Sequence, residues 1–215
     1  GFETDWRTNR VVGVNWEYDR PRTEYFVSPW GDIQAQLENL YPDSIIEIQG
    51  TDYDLNRFII YREAGGVAGV YYLLDRQAGT LEIIANRRPQ IPDEWVAEVQ
   101  AVEYVTRDNR TLLAYLTLPP NTDGQDLPLV VMPHGGPQAR DYYGFDDWAQ
   151  IIASRGYAVI QPQFRGSDGF GLDFVRLGHG EWGRAMQADL IDAVEYLVGE
   201  QIVDENRVCI FLVSP

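Results

Sequence analysis

The chain of 215 residues is long enough for one large domain or two small ones with a real core. Hydrophobic residues make up 45% and charged residues 23%, an ordinary globular composition. Acidic side chains outnumber basic ones 33 to 17, and the net charge of -16 repels phosphate backbones and anionic lipid, arguing against nucleic-acid and membrane partners.

The chain opens on "GFETDWRTNR", with neither an initiator Met nor the apolar stretch of a signal peptide, and reads as the middle of something longer. Its compartment, whether cytoplasmic, periplasmic or secreted, is not legible. No apolar run approaches the roughly 20 residues needed to span a bilayer, so a soluble protein is expected. Short β-prone runs follow: "RVVGVNWEY", "TEYFV", "SIIEIQ", "RFIIY" and "VYYLLD", broken by Asp, Asn, Gly and Pro. "DWRTNRVVGV" from Asp5 aligns with "DYDLNRFIIY" from Asp52, an offset of 47 residues. At the same offset "TEYFVSP" from Thr23 falls on "VYYLLDR" from Val70. A period near 45 residues with several strands per unit predicts propeller blades, here two four-stranded antiparallel units over 1–90. The competing reading is two chance-similar hairpins in one sandwich. Two blades cannot close a ring, since propellers need about four to eight.

Residues 91–100, with two prolines just before and after their start, read as a linker. From 101 the grammar changes. "VEYVTRDNRTLLAYLTLP" predicts a hairpin turning at Asp108-Asn109, and "LPLVVMP" a strand buried on both faces. "FDDWAQIIASRG" predicts a short helix capped by Asp146 or Asp147, with Trp148, Ile151 and Ile152 on one face. "YAVIQPQF" is a second buried strand, and "GEWGRAMQADLIDAVEYLVGE" a longer helix with Met186, Leu190, Val194 and Leu197 at helical spacing. "RVCIFLV" is a third buried strand, in which Cys209 reads as a small buried hydrophobe. Buried strands alternating with helices predict an α/β domain with a mostly parallel sheet.

In such sheets ligands bind at the carboxyl ends of strands, where "HGG" and "VSP" both sit. Glycines there let backbone N–H groups approach the oxygen of a tetrahedral intermediate, although glycine also marks ordinary turns. "PHGGPQARD", "ASRGYAVIQPQFRGSDGFG", "EWGRAMQADLIDAV" and "VDENRVCIF", in that order, resemble the prolyl oligopeptidase family of serine peptidases, especially its acylaminoacyl-peptidase and dipeptidyl-peptidase-like branch. Asp168 and Phe170 are local variants within the second motif. The resemblance implies the N-terminal half of an α/β-hydrolase domain over 101–215, preceded by the last two blades of a β-propeller, in a fragment truncated at both ends. It implies a serine-type peptidase acting on short peptides, as an exopeptidase or oligopeptidase, without cofactor or metal.

By position the resemblance puts Ser214 on the nucleophile and the Gly136 N–H in the oxyanion hole. The family's Gly-x-Ser-x-Gly-Gly is broken here, because Leu212 replaces the first glycine and Pro215 follows the serine. The strained elbow needs glycine, and the residue after the serine normally donates an N–H that proline lacks. The triad Asp and His are expected beyond residue 215, so the chain as given is expected to be inactive. His134 reads as a structural member of the oxyanion loop, His179 as a capping or surface residue, and Ser167 as a turn residue. A non-catalytic binding or scaffold protein of hydrolase shape is the alternative, and an esterase or lipase a weaker third. Specificity and oligomeric state are not legible.

Overall fold

A computed structural model describes residues 1–212. The chain divides into two compact units, Gly1–Val96 and Ala97 onward.

In the first unit, strands β1 (Phe2–Asp5), β2 (Arg10–Glu17) and β3 (Pro21–Tyr25) form an antiparallel sheet in that order. Strands β4 (Ile45–Thr51), β5 (Arg57–Ala64), β6 (Val67–Asp75) and β7 (Thr80–Asn86) form a second. The 47-residue offset survives in the pairing. Gly13 pairs with Tyr25, and Ile60 with Tyr72. Asp5 and Asp52 both close the turn into the next strand. The Asp5 carboxylate accepts from the Arg7 and Thr8 side chains and the Arg7 N–H, and that of Asp52 accepts from the N–H groups of Asn56 and Arg57. The Arg7 guanidinium holds the Asp5 carboxyl down at about 2.

The two units of the repeat are not both four-stranded. Where a fourth strand of the first was expected, the chain forms helix α1 (Trp30–Leu40). Trp30, Ile33 and Leu37 recur at helical spacing and are buried with Val12, Ile46, Phe58 and Ile60. That period is present in "WGDIQAQLENL" and outweighs the surrounding β-prone composition.

In the second unit the sheet order is β12–β10–β11–β9–β8, from β8 (Glu98–Val105), β9 (Thr111–Leu118), β10 (Leu127–Val131), β11 (Ala158–Pro162) and β12 (Val203–Ile210). β10 runs parallel to both β11 and β12, whereas β8 and β9 are antiparallel. The β8–β9 hairpin turns where expected, with Asn109 at φ 63°. Side chains alternate between two cores, as a strand buried on both faces requires. Leu129, Val131, Ala158 and Ile160 pack with Ala193 and Leu197 of helix α4 (Ala185–Gly199). Val130, Met132 and Val159 pack with Ala149 of helix α2 (Asp147–Ala153). A short helix α3 (Leu172–Arg176) lies between β11 and α4.

Two expectations fail here. Asp146 caps α2 by accepting from the Ala149 N–H, but Trp148 and Ile151 face outward. The inward face carries Ala149, Gln150 and Ala153, because close approach to the sheet favours small residues and Gln150 bonds Ala97 in both directions. β12 is likewise not a fully buried strand. It is an edge of the described sheet with β10 as its one neighbour, and Cys209 is exposed.

Candidate functional site

Parallel pairing of β10 and β12 sets the site. Val131 stands opposite Ile210, and the Phe211 N–H donates to the Val131 carbonyl at 2.9 Å. The carboxyl ends of the two strands therefore lie side by side. One leads into His134-Gly135-Gly136; the other leads toward Ser214, which lies outside the described residues.

The loop after β10 is held by its histidine. Nδ1 of His134 is 2.9 Å from the Gly135 carbonyl oxygen. A carbonyl only accepts, so Nδ1 carries the proton. The Ser167 hydroxyl oxygen stands 2.8 Å from Nε2 and 2.6 Å from the Phe164 carbonyl oxygen, and its one proton is shared between these two acceptors. The imidazole stacks on the Phe164 ring, with centroids 4.4 Å apart and planes 19° from parallel. Burial lowers the pKa of His134; the Gly135 carbonyl opposes that shift, and the Arg140 charge adds to it. His134 is thus a neutral, positioned ring. Ser167 is completely buried and closes a turn, its N–H donating to Phe164.

Holding the Gly135 carbonyl has a consequence for its neighbour. The peptide between Gly135 and Gly136 is planar and trans, so the Gly136 N–H points opposite to that carbonyl. Gly136 itself is exposed at φ 123°, and a Cβ there would stand 2.8 Å from the Gln138 nitrogen. Among the described residues no acceptor takes its N–H. Glycine is required on both conformational and steric grounds.

The rest of the loop is tied to the segment after β11. The Asp168 N–H donates to the Ala139 carbonyl, and the Arg140 guanidinium lies over the Phe170 ring and donates to the Tyr115 hydroxyl. Gln163 clasps the Asp141 backbone through both its amide oxygen and nitrogen. That segment is anchored below by Arg165, which donates to the buried Asp189 and to Asp108. The two carboxylates push the Arg165 pKa up, Asp189 most, and Arg165 holds Asp108 far below the usual range.

Asp141 is the residue that motif reasoning missed. Burial raises its pKa to about 7, with a smaller contribution from Asp146, and its Oδ2 is buried without a hydrogen-bond partner among the described residues. A signal existed: Gln161 and Gln163 interrupt the buried strand "YAVIQPQF", and a buried amide needs a polar partner. His179 is exposed, as a surface residue should be. Among the described residues no group of three or more His, Cys, Asp or Glu could hold a metal, and no helix is long and apolar enough to cross a membrane.

The sequence model of the prolyl oligopeptidase family matches residues 143–214. Dipeptidyl aminopeptidase BIII of Pseudoxanthomonas mexicana is 38% identical over 98% of this chain and 31% of its own length. Dipeptidyl peptidase family member 6 of Caenorhabditis elegans is 32% identical over 93% of this chain and 30% of its own. Among solved structures, the acylaminoacyl peptidase of Pyrococcus horikoshii aligns with a TM-score of 0.57 at 26% identity, covering 78% of this chain and 27% of that one. The chain spans about a third of the length of the curated relatives it matches. The ordered motifs, the two strand ends that meet and these likenesses agree: the chain belongs to the prolyl oligopeptidase family of serine peptidases.

Proposed function

We propose that this chain is part of a serine peptidase of short peptides and supplies one half of its oxyanion hole. In this reading 1–90 are two propeller units, 91–100 a linker, and 101–215 the N-terminal half of an α/β-hydrolase domain. One observation carries the catalytic part. The Phe211 N–H on the Val131 carbonyl brings the approach to Ser214 beside a loop whose Gly136 N–H is aimed and unclaimed. A serine at that strand end attacks the peptide carbonyl. A histidine oriented by an aspartate, both supplied by sequence beyond residue 215, moves the proton to the leaving amine. The Gly136 N–H meets the oxygen as it gains charge.

Leu212 and Pro215 depart from the family's elbow, and that departure favours a second reading as a non-catalytic protein of the same shape. The two separate on the longer protein that contains this chain. Treated with a fluorophosphonate and mapped by peptide, it is expected to label on serine and to hydrolyse dipeptidyl or acylaminoacyl p-nitroanilides. The chain 1–215 alone is expected to do neither. A longer protein that neither labels nor hydrolyses such substrates is the non-catalytic one.

A further inference from the structure

A cleft of about 1050 Å³ opens between the two sheets of the first unit. Glu3 of β1, Trp16 of β2, Tyr25 of β3, Gln34 and Glu38 of α1 and Glu47 of β4 line it. Its wall is anionic without an answering cation. The side-chain amides of Asn15, Gln34 and Gln49 donate to Glu3, Glu38 and Glu47 respectively. Among the described residues none of these three carboxylates has an ion-pair partner. The arginines that also line the cleft, Arg20 and Arg22, both pair with Asp19. Burial pushes the Glu47 pKa up and the Glu63 charge adds to the rise; Arg87 opposes it, and Glu3 adds a little more. A carboxylate in such surroundings is short of positive charge.

Gln34 points to a ligand independently. It is 6% exposed, and its amide nitrogen faces two acceptors, the Glu38 carboxylate at 2.7 Å and the Ile46 carbonyl at 3.4 Å. Only the NH2 end of an amide can serve two acceptors, which fixes the orientation of the group. Its Oε1 is buried and accepts no hydrogen bond among the described residues. A buried acceptor of this kind calls for a donor. Trp16, 46% exposed, and Tyr25 add ring faces, which attract organic cations. One ammonium answers one carboxylate, and the cleft is far larger than one ammonium. We propose that this cleft binds a linear polyamine, whose ammonium groups donate to Gln34 Oε1 and to the carboxylates of Glu3, Glu38 and Glu47. Every residue involved belongs to the first unit, so the site holds whether or not the longer protein is catalytic.

Calorimetric titration of the full-length protein that contains this chain tests it, at about 0.15 M salt to screen loosely held counterions. Spermidine is expected to bind saturably, one per chain. It should bind roughly tenfold more tightly than Nα-acetyl-lysinamide, which carries a single ammonium. Glu3→Gln and Glu47→Gln should each weaken spermidine roughly threefold, and Gln34→Leu, which changes no charge, should do the same. Glu82→Gln, on exposed β7 and outside the cleft, removes an equal charge and should leave binding unchanged. Thermal melts check that the variants stay folded; if Gln34→Leu does not, the glutamate variants decide. Binding that does not saturate, equal weakening by Glu82→Gln, or undiminished binding in both Glu3→Gln and Glu47→Gln overturns the proposal. Lysinamide bound as tightly as spermidine also overturns it, because the cleft then answers a single basic side chain.

Discussion

The Ser167 hydroxyl stands 2.8 Å from Nε2 of His134, and through that ring it holds the Gly135 carbonyl on the other face of the loop. Two residues that touch no substrate thereby orient the Gly136 N–H. Ser167→Ala leaves a buried imidazole nitrogen without its partner, a loss of about 1–3 kcal/mol. In the full-length enzyme kcat is expected to fall about tenfold while KM stays within twofold. Imidazole 15N shifts check the cause, since the variant should show a mixture of ring tautomers where the parent shows one. A single tautomer with reduced kcat would place the effect elsewhere.

Gly136→Val tests the donor itself. At φ 123°, with the Gln138 nitrogen 2.8 Å from any added Cβ, the peptide must rotate to admit a side chain. Loss of one oxyanion donor costs about 10²- to 10³-fold in kcat. Stability should change less, because the position is exposed. Steady-state kinetics with melts alongside decide; a kcat within threefold of the parent makes Gly136 only a turn residue.

Asp141 predicts a pH dependence of stability. Its folded pKa, about 7, lies above the unfolded value near 3.8, so between these pH values the folded protein holds a proton that the unfolded chain has released. Stability from this group therefore falls as pH rises from about 4 to about 7, and stays low above that. Asp141→Asn should flatten the Tm profile across this range and raise Tm at pH 8, the amide replacing a carboxylate that is charged there. An unchanged profile would mean that the carboxyl reaches water or a partner.

Arg165 and Asp189 form the buried ion pair beneath the site, Asp189 with no exposed side-chain surface and Arg165 with 8%. Removing Asp189 leaves the buried arginine with the half-exposed Asp108 alone, at a cost of up to about 3–5 kcal/mol. Asp189→Ala is expected to lower the denaturation free energy by that order in urea titrations. Asp108→Ala, removing the half-exposed partner of the same arginine, should cost much less.

Elements with a single strong period were legible from sequence: the 47-residue repeat, the hairpin turn at Asn109, the two-faced strands β10 and β11, the Asp146 cap. Where two signals competed, the local one misled. "WGDIQAQLENL" carried helical spacing inside β-prone surroundings. Trp148 and Ile151 look like a buried face, yet Ala149 and Ala153 are the residues that let α2 approach the sheet. Cys209 sits in an apolar run, but burial depends on how many strands flank it, and no local pattern encodes sheet order. The His-Gly-Gly loop was legible as a motif, whereas its bracing was not. His134, Ser167 and Phe164 are separated by about thirty residues and meet because β10 and β11 are neighbours.

The pairing of β10 with β12 also bears on timing. About eighty residues separate Val131 from Phe211, and the segment between them carries α2, β11, α3 and α4. Contacts closed over such a span come late, after the loop entropy has been offset by packing. A nascent chain with β10 already made would present its glycine loop without the strand that brings the nucleophile position to it. Formation of the loop's surroundings is then coupled to completion of the sheet, so the order of the strands in space sets the order in which this face of the domain is built.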